Sequence, residues 1–245
     1  VAPHMKDRPL TLNRFPNGIL GGNFYQKHQE HKPPDFVERV VIWSEHNKAA
    51  GDYILVNNLP TILWLAQIAD LEMHTWYSRV DPKPDATTKG VDFWSNQEAI
   101  DASVLNFPDF MVVDLDPYIY SGKEKKGAEP EFNEAAFEKT VEIALATKDL
   151  LDSLGLPAFI KTSGKTGLHL YVPIVRNMDY DQTRAIAQTI GVFLLRQRPQ
   201  DVTMEWSTTK RTGKIFFDHN QNSRGKTLAT VYYPRPAPGA PVSTP

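Results

Sequence analysis

The sequence predicts an α/β (α+β) fold, and three observations lead to this prediction. A strongly apolar segment, 110–116, has the length and composition of a buried strand and is bounded by prolines. Apolar residues then recur at helical spacing over 133–154, with Asn133 as a candidate N-cap and Gly155 as a stop. Two alternating segments follow, separated by a glycine-containing turn, which is typical of a β-hairpin.

The hairpin consists of candidate strands at 158–162 and 168–172, joined by Ser163-Gly-Lys-Thr-Gly167. A second helix is predicted over 179–197. Short strands are predicted after it, at 202–205, 214–218 and 228–232. The resulting β-α-β-β-α-β order predicts a ferredoxin-like or RNA-recognition-like sheet with helices on one face.

The first hundred residues predict a second, N-terminal α/β lobe, with strands at 40–44 and 53–56 and a helix at 60–70. No function is evident for the segment at about 80–107, and a Gly- and Lys-rich loop is predicted at 121–130. We therefore expect one domain, 1–245. Its expected parts are an N-terminal lobe (about 1–107), the main sheet (108–233) and a proline-rich tail or linker (234–245).

Composition narrows the classes of protein. With 245 residues, 41% of them hydrophobic, the chain can bury a core large enough for an enzyme. The absence of cysteine excludes disulfides and thiolate metal sites and fits a reducing compartment. Without an apolar stretch of about 20 residues or a signal peptide, we expect a soluble, cytoplasmic protein and no membrane partner. The net charge of -2 argues against nonspecific coating of nucleic acid, although basic residues concentrate in 196–245.

A pair of acids, Asp114 and Asp116, ends the apolar strand and predicts a metal site. Residues at i and i+2 of a strand share a face, while Leu115 points into the core. No Lys or Arg adjoins the pair in the sequence, and carboxylate oxygens suit Mg²⁺ or Mn²⁺. Two solvated acids at a strand end are an equally simple interpretation of Asp-x-Asp alone. Asp218 ends another apolar strand and would complete a two-metal site if the strands are neighbours.

The turn from Ser163 to His169 has the residues of a phosphate-binding loop but is not a P-loop, because Phe159 stands where a Walker motif needs glycine. Its backbone amides, hydroxyl, lysine and imidazole could still hold phosphates. An ordinary hairpin turn and a core histidine remain the alternatives. Arg235 suits bidentate phosphate recognition. Near the start, Phe24, Tyr25 and Lys27 combine stacking faces and a cation, as a single-stranded template or an incoming base requires, although strand aromatics are more often core residues.

Taken together and in order, these motifs resemble the archaeo-eukaryotic primase superfamily, and within it the polymerase domain of prokaryotic non-homologous end-joining DNA ligases. The resemblance covers nearly the whole chain. It rests on these segments: Arg8-Pro9, Phe15-Pro-Asn-Gly18, Phe24-Tyr-Gln-Lys-His28, His74-Thr-Trp76, Pro108-Asp109, Asp114-Leu-Asp-Pro117, Lys161-Thr-Ser-Gly164, Gly167-Leu-His169, Phe217-Asp218, Gln221-Asn222, Pro234-Arg235 and Pro238-Gly-Ala-Pro-Val-Ser243.

The resemblance implies a primase-polymerase fold and a role for each matching residue. It implies that Asp114, Asp116 and Asp218 bind two Mn²⁺ (or Mg²⁺) ions, with His74 near the catalytic centre. The implied substrate contacts are Ser163, Gly164, Lys165, His169, Gln221, Asn222, Arg235, Phe24, Tyr25 and Lys27. Lys165 matches less well, because the family has its lysine directly before Gly167, where this chain has Thr166.

The implied activity is template-dependent repair of DNA ends, in which ribonucleotides, and also deoxyribonucleotides, are added to a DNA 3′-hydroxyl. The implied partners are double-stranded DNA ends, gaps or overhangs, nucleoside triphosphates, a DNA ligase module and the Ku end-binding protein, near the prokaryotic nucleoid. The family also has an N-terminal segment that grips a 5′-phosphate, and this chain begins after it.

Three other functions compete with this one. A stand-alone primase would use the same metal site and would differ by synthesis without a primer. An Asp-x-Asp glycosyltransferase would bind a nucleotide diphosphate but leaves the turn at Ser163 and Arg235 unexplained. A metal-free nucleic-acid-binding module would keep its activity when both Asp114 and Asp116 are changed to Ala.

Overall fold

The computed structural model describes residues 2–29, 31–86, 89–118 and 132–245. Its helices and strands are, in chain order, α1 (Ala2–Met5), β1 (Leu10–Arg14), β2 (Phe24–Gln26), β3 (Glu38–Ser44), β4 (Ala49–Leu55), α2 (Leu59–Gln67), β5 (Asp70–Trp76), α3 (Gln97–Ala102), β6 (Phe110–Pro117), α4 (Glu134–Ser153), β7 (Phe159–Thr162), β8 (Leu168–Pro173), α5 (Tyr180–Gln197), β9 (Val202–Thr203), β10 (Ile215–Asp218) and β11 (Thr227–Ala229). The mixed α/β prediction is confirmed. The predicted loop at 121–130 lies outside the described residues.

The chain divides into two compact units. Unit 1 comprises 1–109, 175–180 and 224–241, and unit 2 comprises 110–174, 181–223 and 242–245. No helix in the described ranges is long and apolar enough to cross a membrane.

Unit 2 contains a five-stranded sheet in the order β7-β8-β6-β10-β9. One face of this sheet packs its apolar side chains, including Leu115, Leu170 and Phe217, with residues of α4 and α5 in a single core. Helix α4 begins as predicted, because the Asn133 side chain accepts a hydrogen bond from the amide of Ala136. The apolar face is therefore covered by helices, and the polar residues of alternate positions occupy the other face.

Unit 1 contains a four-stranded sheet, β11-β5-β1-β2, and a separate hairpin of β3 and β4. Strand β11 pairs antiparallel with β5, so that Ala229 lies opposite His74. The prediction that this strand belongs to the main sheet is wrong. The two apolar residues of this short strand, Leu228 and Ala229, can pack on either sheet, and the hydrogen-bonding partner is set by the tertiary fold.

The proline-rich end, for which the sequence predicts an extended tail or linker, forms contacts with other parts of the chain. Arg235 and Ser243 are buried. In unit 2, the Thr162 amide donates to the Thr244 carbonyl at 2.7 Å, and the Ser243 hydroxyl donates to the Thr162 carbonyl at 2.8 Å. These bonds extend the edge of the sheet beyond β7. Proline spacing indicated an extended conformation but could not indicate this docking.

Asp70 is a buried acid at the start of β5 with an unusual environment. One carboxylate oxygen accepts a hydrogen bond from the Asn13 amide at 3.0 Å, while the buried Oδ2 accepts none from the described residues. Burial raises the pKa of Asp70 to about 8, and the charge of Glu72 adds to this effect. The folded protein therefore keeps a proton that the unfolded chain loses near its ordinary pKa.

We expect this proton to make the free energy of unfolding fall as the pH rises from about 4 to about 8. Within this range the unfolded state binds fewer protons than the folded state, so stability decreases with pH. Each pKa unit corresponds to about 1.4 kcal/mol, which sets a maximum of roughly 5 kcal/mol. The free energy of unfolding is measured by urea unfolding at about pH 4 and at about pH 8. Asp70→Asn should abolish most of its decrease between these two pH values, whereas Asp149→Asn, at an exposed position, should not. Equal pH dependence in wild type and Asp70→Asn would contradict the prediction.

Candidate active site

Three acids share the face of the unit 2 sheet that is opposite to the helices. Strands β6 and β10 pair antiparallel with Asp114 opposite Asp218, which confirms that the two strands are neighbours. Asp116 lies two residues further along β6 on the same face. Between them, Leu115 is fully buried in the core, as predicted. The sheet thus gathers the three carboxylates that the sequence analysis singled out.

Asp114 is the most enclosed of the three and is only 4% exposed. Its Oδ2 accepts a hydrogen bond from Gln221 Nε2 at 3.2 Å. Its Oδ1 lies 3.3 Å from His169 Nε2, but in a geometry that does not make a hydrogen bond. Burial raises the pKa of Asp114 well above its usual range, and the charges of Asp116 and Asp218 raise it further. The groups around Asp114 that favour its ionised form are therefore outweighed by burial and by the two neighbouring negative charges.

A row of charged and polar residues crosses the sheet at this level. The strand registers align Lys161 with His169, His169 with Asp114, and Asp114 with Asp218. Lys161 is buried, and its ammonium donates to Ser243 Oγ and, at 3.2 Å, to the Thr162 carbonyl. Its charge lowers the pKa of Asp114. The sequence places no cation beside the acids, whereas the hairpin brings one into the same row.

The turn after β7 is shaped by Ser163. Its hydroxyl oxygen accepts hydrogen bonds from the amides of Lys165 (3.1 Å) and Gly167 (3.0 Å), and its own amide donates to the Gly167 carbonyl. Gly164 has a φ of 74°, a left-handed conformation that favours glycine. The Lys165 side chain is exposed. Three of the backbone amides in this predicted phosphate-binding turn thus donate hydrogen bonds within the turn itself.

Asn222 lies inside the fold and bonds to the backbone of β6, while its role as a substrate contact stays a prediction. It is fully buried, and its amide side chain both accepts from the Val112 amide (2.8 Å) and donates to the Val112 carbonyl (2.7 Å). Strand β10 ends at Asp218 and therefore does not pair with Val112. The Asn222 side chain supplies the two backbone hydrogen bonds that a neighbouring strand would have made with Val112. The adjacent Gln221 instead contacts Asp114.

A second cluster lies in unit 1 and contains two of the predicted site residues. His74 Nε2 and Arg235 Nη2 both contact Glu72 Oε1, at 2.8 Å and 2.6 Å. Glu72 Oε2 accepts from Asn13 Nδ2 at 2.8 Å. Sequence reasoning missed Glu72, although its position two residues before His74 on a strand places both side chains on one face.

The predicted template-contacting segment forms β2, at the edge of the unit 1 sheet. Phe24 and Tyr25 are 45% and 60% exposed, and Lys27 is also exposed. The Arg14 guanidinium lies 5.3 Å from the centre of the Phe24 ring, and the Tyr25 ring meets the His74 ring edge-on at 6.0 Å. These aromatics are on the surface and do not form a core.

The acid cluster fits a divalent cation by its chemistry. Its donors are hard carboxylate oxygens, and Asp114 Oδ1 is a buried acceptor without a hydrogen bond from the described residues. The negative charges of Asp116 and Asp218 contribute to the raised pKa of Asp114. A bound cation would relieve this repulsion among the three acids. Within the described part of the chain, no group of three or more acid or histidine side chains has the arrangement of a metal site.

Comparisons with known proteins agree on one family. Residues 1–245 match the family described as "LigD, primase-polymerase domain". The chain is 30% identical to the multifunctional non-homologous end joining protein LigD of Pseudomonas aeruginosa, over 98% of this chain and 24% of that protein. It is 27% identical to the bifunctional LigD of Bacillus subtilis, over 96% of this chain and 32% of that protein. The chain thus spans about a quarter to a third of the length of these relatives.

A solved structure, the polymerase domain of Mycobacterium tuberculosis Ligase D in complex with DNA, superimposes with a TM-score of 0.78 at 27% identity. The match covers 99% of this chain and 74% of that one. The resemblance found in the sequence is therefore confirmed over the full length of the chain. This chain belongs to the LigD primase-polymerase domain family, and it is a nucleotidyltransferase of the polymerase type.

Proposed function

We propose that this chain extends the 3′-hydroxyl of DNA ends in non-homologous end joining, adding ribonucleotides and also deoxyribonucleotides under the direction of a template. The observation that supports this most directly is the gathering of Asp114, Asp116 and Asp218 on one sheet face in a member of this polymerase family. Double-stranded DNA ends, gaps or overhangs and nucleoside triphosphates would be its substrates. A DNA ligase module and the Ku end-binding protein would be its partners, in the cytoplasm at the nucleoid.

Two Mn²⁺ or Mg²⁺ ions held by the three carboxylates would supply activation of the attacking hydroxyl and neutralisation of the phosphates. The chain's own residues prepare this site. Gln221 orients Asp114 by its 3.2 Å hydrogen bond, and His169 limits the space beside Oδ1. Lys161 offsets part of the negative charge, so that the carboxylates can stay close together without a bound cation.

Phosphate and base contacts are proposed for the remaining site residues. Ser163, Gly164, Lys165 and His169 border the acid cluster along the β7–β8 hairpin. Arg235 is proposed to bind the triphosphate, and His74, which shares Glu72 with it, is proposed to lie near the nucleotide and the catalytic centre. Phe24, Tyr25 and Lys27 are proposed as the contacts for template and incoming base, because aromatic faces with a neighbouring cation suit unpaired bases.

The decisive experiment offers the chain a gapped or overhanging duplex with ribonucleotides and Mn²⁺. We expect templated extension of the primer, with more product from ribonucleotides than from deoxyribonucleotides and none in the presence of a chelator. An otherwise identical reaction without a primer distinguishes a primase, which would start chains. Absence of extension under conditions where the protein binds the duplex would overturn the proposed function.

A further inference from the structure

One buried carboxylate in unit 1 joins two residues to which the family resemblance gives roles: Arg235 as a substrate contact and His74 near the catalytic centre. Glu72 lies on β5 with its side chain 1% exposed, and its Oε1 is the common acceptor for His74 Nε2 and Arg235 Nη2. The other oxygen accepts from Asn13 Nδ2 on the neighbouring strand β1, where Asn13 and Glu72 are register partners. Every polar atom of this carboxylate therefore has a partner.

The carboxylate remains ionised despite its burial. Burial acts to raise the pKa of Glu72, but the hydrogen bond and charge of His74, the charge of Arg235 and the Asn13 bond lower it to about 2. Hydrogen bonds between ionised groups are shorter and stronger than neutral ones, which agrees with the 2.6 Å separation from Arg235. Glu72 thus acts as a fixed negative charge at neutral pH.

This contact determines the chemistry that His74 can present. A carboxylate only accepts hydrogen bonds, so the Nε2 atom of His74 must carry the hydrogen. In the neutral ring, Nδ1 is then the accepting nitrogen. The edge-on contact with the Tyr25 ring adds a second restraint on the imidazole. One carboxylate oxygen therefore fixes both the tautomer of His74 and the direction of one Arg235 nitrogen.

We propose that Glu72 is the positioning residue of the nucleotide site: it holds the Arg235 guanidinium and the His74 imidazole as one unit that recognises the anionic oxygens of a triphosphate. This inference rests on the proposed function for the roles of His74 and Arg235. Glu72 itself does not contact the substrate, because its carboxylate would repel phosphate and is already fully hydrogen-bonded. Asn13, on the neighbouring strand β1, donates a hydrogen bond to the other carboxylate oxygen of Glu72 and so holds it in place.

The test compares Glu72→Gln with wild type and places both in an Arg235→Ala background. Glutamine has nearly the same size but offers an amide NH₂ towards the donors of its neighbours, so the unit should loosen. We expect the KM for the nucleoside triphosphate to rise at least about 10-fold, with a smaller change in kcat. In the Arg235→Ala background, the same substitution should change KM less than about 3-fold. The contact of Glu72 with Arg235 is already lost there, and only its contact with His74 remains.

Asp149→Asn is the control, because it removes one carboxylate at an exposed position of α4 in unit 2. It should leave KM unchanged. An effect of Glu72→Gln that persists in full when Arg235 is absent would show that Glu72 does not act through Arg235 and would overturn the inference. If Glu72→Gln does not fold, Glu72→Asp serves instead, because withdrawing the carboxylate by one methylene should raise KM in the same partner-dependent way.

Direct binding separates this inference from the proposed function. The affinity for a nucleoside triphosphate alone is measured for wild type and Glu72→Gln in the absence of DNA. A 10-fold loss in the variant supports the inference whether or not the wild type extends a primer. Normal primer extension by wild type together with unchanged triphosphate binding by Glu72→Gln overturns the inference and leaves the proposed function standing. A wild type that binds no triphosphate overturns both.

Discussion

Replacing Asp114 and Asp116 together by Asn is expected to reduce primer extension at least about 1,000-fold. The two side chains are proposed ligands of the metal ions, and amide oxygens are weaker, uncharged ligands. The rate should be measured in a single turnover with saturating nucleotide and Mn²⁺, so that a change in nucleotide affinity does not obscure the chemical step.

The same double variant should be folded and at least as stable as wild type. Asp114 is buried, its pKa is raised well above its usual range, and the charges of its neighbours contribute to that rise. Removing two of the three negative charges removes this repulsion. Thermal unfolding without metal should therefore give an equal or higher Tm, while Mn²⁺ should raise the Tm of wild type and not that of the variant.

Asp149→Asn, a change of the same kind at an exposed position of α4, is the control and should behave as wild type in all three measurements. DNA binding should be retained or strengthened in the double variant, since it carries less negative charge. If the variant kept more than a tenth of the wild-type rate, the acids would be ordinary strand-end residues. The combination of lost activity and retained stability is what a structural role could not produce.

Sequence periodicity was sufficient for the elements that pack locally. The helix at 133–154 was predicted from its cap and its apolar spacing, and α4 occupies Glu134–Ser153. The predicted hairpin around Ser163 corresponds to β7 and β8, with the turn closed by the Ser163 hydroxyl. In these cases the signals lie within a few residues of the structure that they determine.

Features that depend on residues distant in the chain could not be predicted in the same way. The pairing of β11 with β5 joins segments about 150 residues apart, and a strand of three residues carries no information on its partner. The two hydrogen bonds between the Asn222 side chain and the Val112 backbone join positions 110 residues apart, so the sequence alone could not show them. The charge that faces Asp114 comes from Lys161, and only the strand registers reveal it.

Gly167→Ala is expected to lower the extension rate about 100-fold, the second large effect, although the substitution adds one methyl group. A Cβ at this position would lie 2.5 Å from the Leu115 carbonyl oxygen and 2.9 Å from Asp116 Oδ1. Neither the backbone of β6 nor the proposed metal ligand can yield without displacing the acid cluster. A displacement of about 1 Å in a reacting group can cost 100-fold in rate.

Gly90→Ala is the matched control, because its added Cβ would meet nothing closer than the Ala102 carbonyl oxygen at 3.5 Å, an ordinary contact. It should retain the wild-type rate and Mn²⁺ dependence, whereas Gly167→Ala should need a higher Mn²⁺ concentration for half-maximal rate. An unchanged rate in Gly167→Ala would show that Asp116 need not hold its position. The two glycines of this turn thus serve different needs: Gly164 adopts a left-handed backbone, while Gly167, whose φ lies outside that region, leaves room for a carboxylate. The increase in the Mn²⁺ concentration needed for half-maximal rate would measure how strongly the position of Gly167 in the hairpin affects the acid cluster.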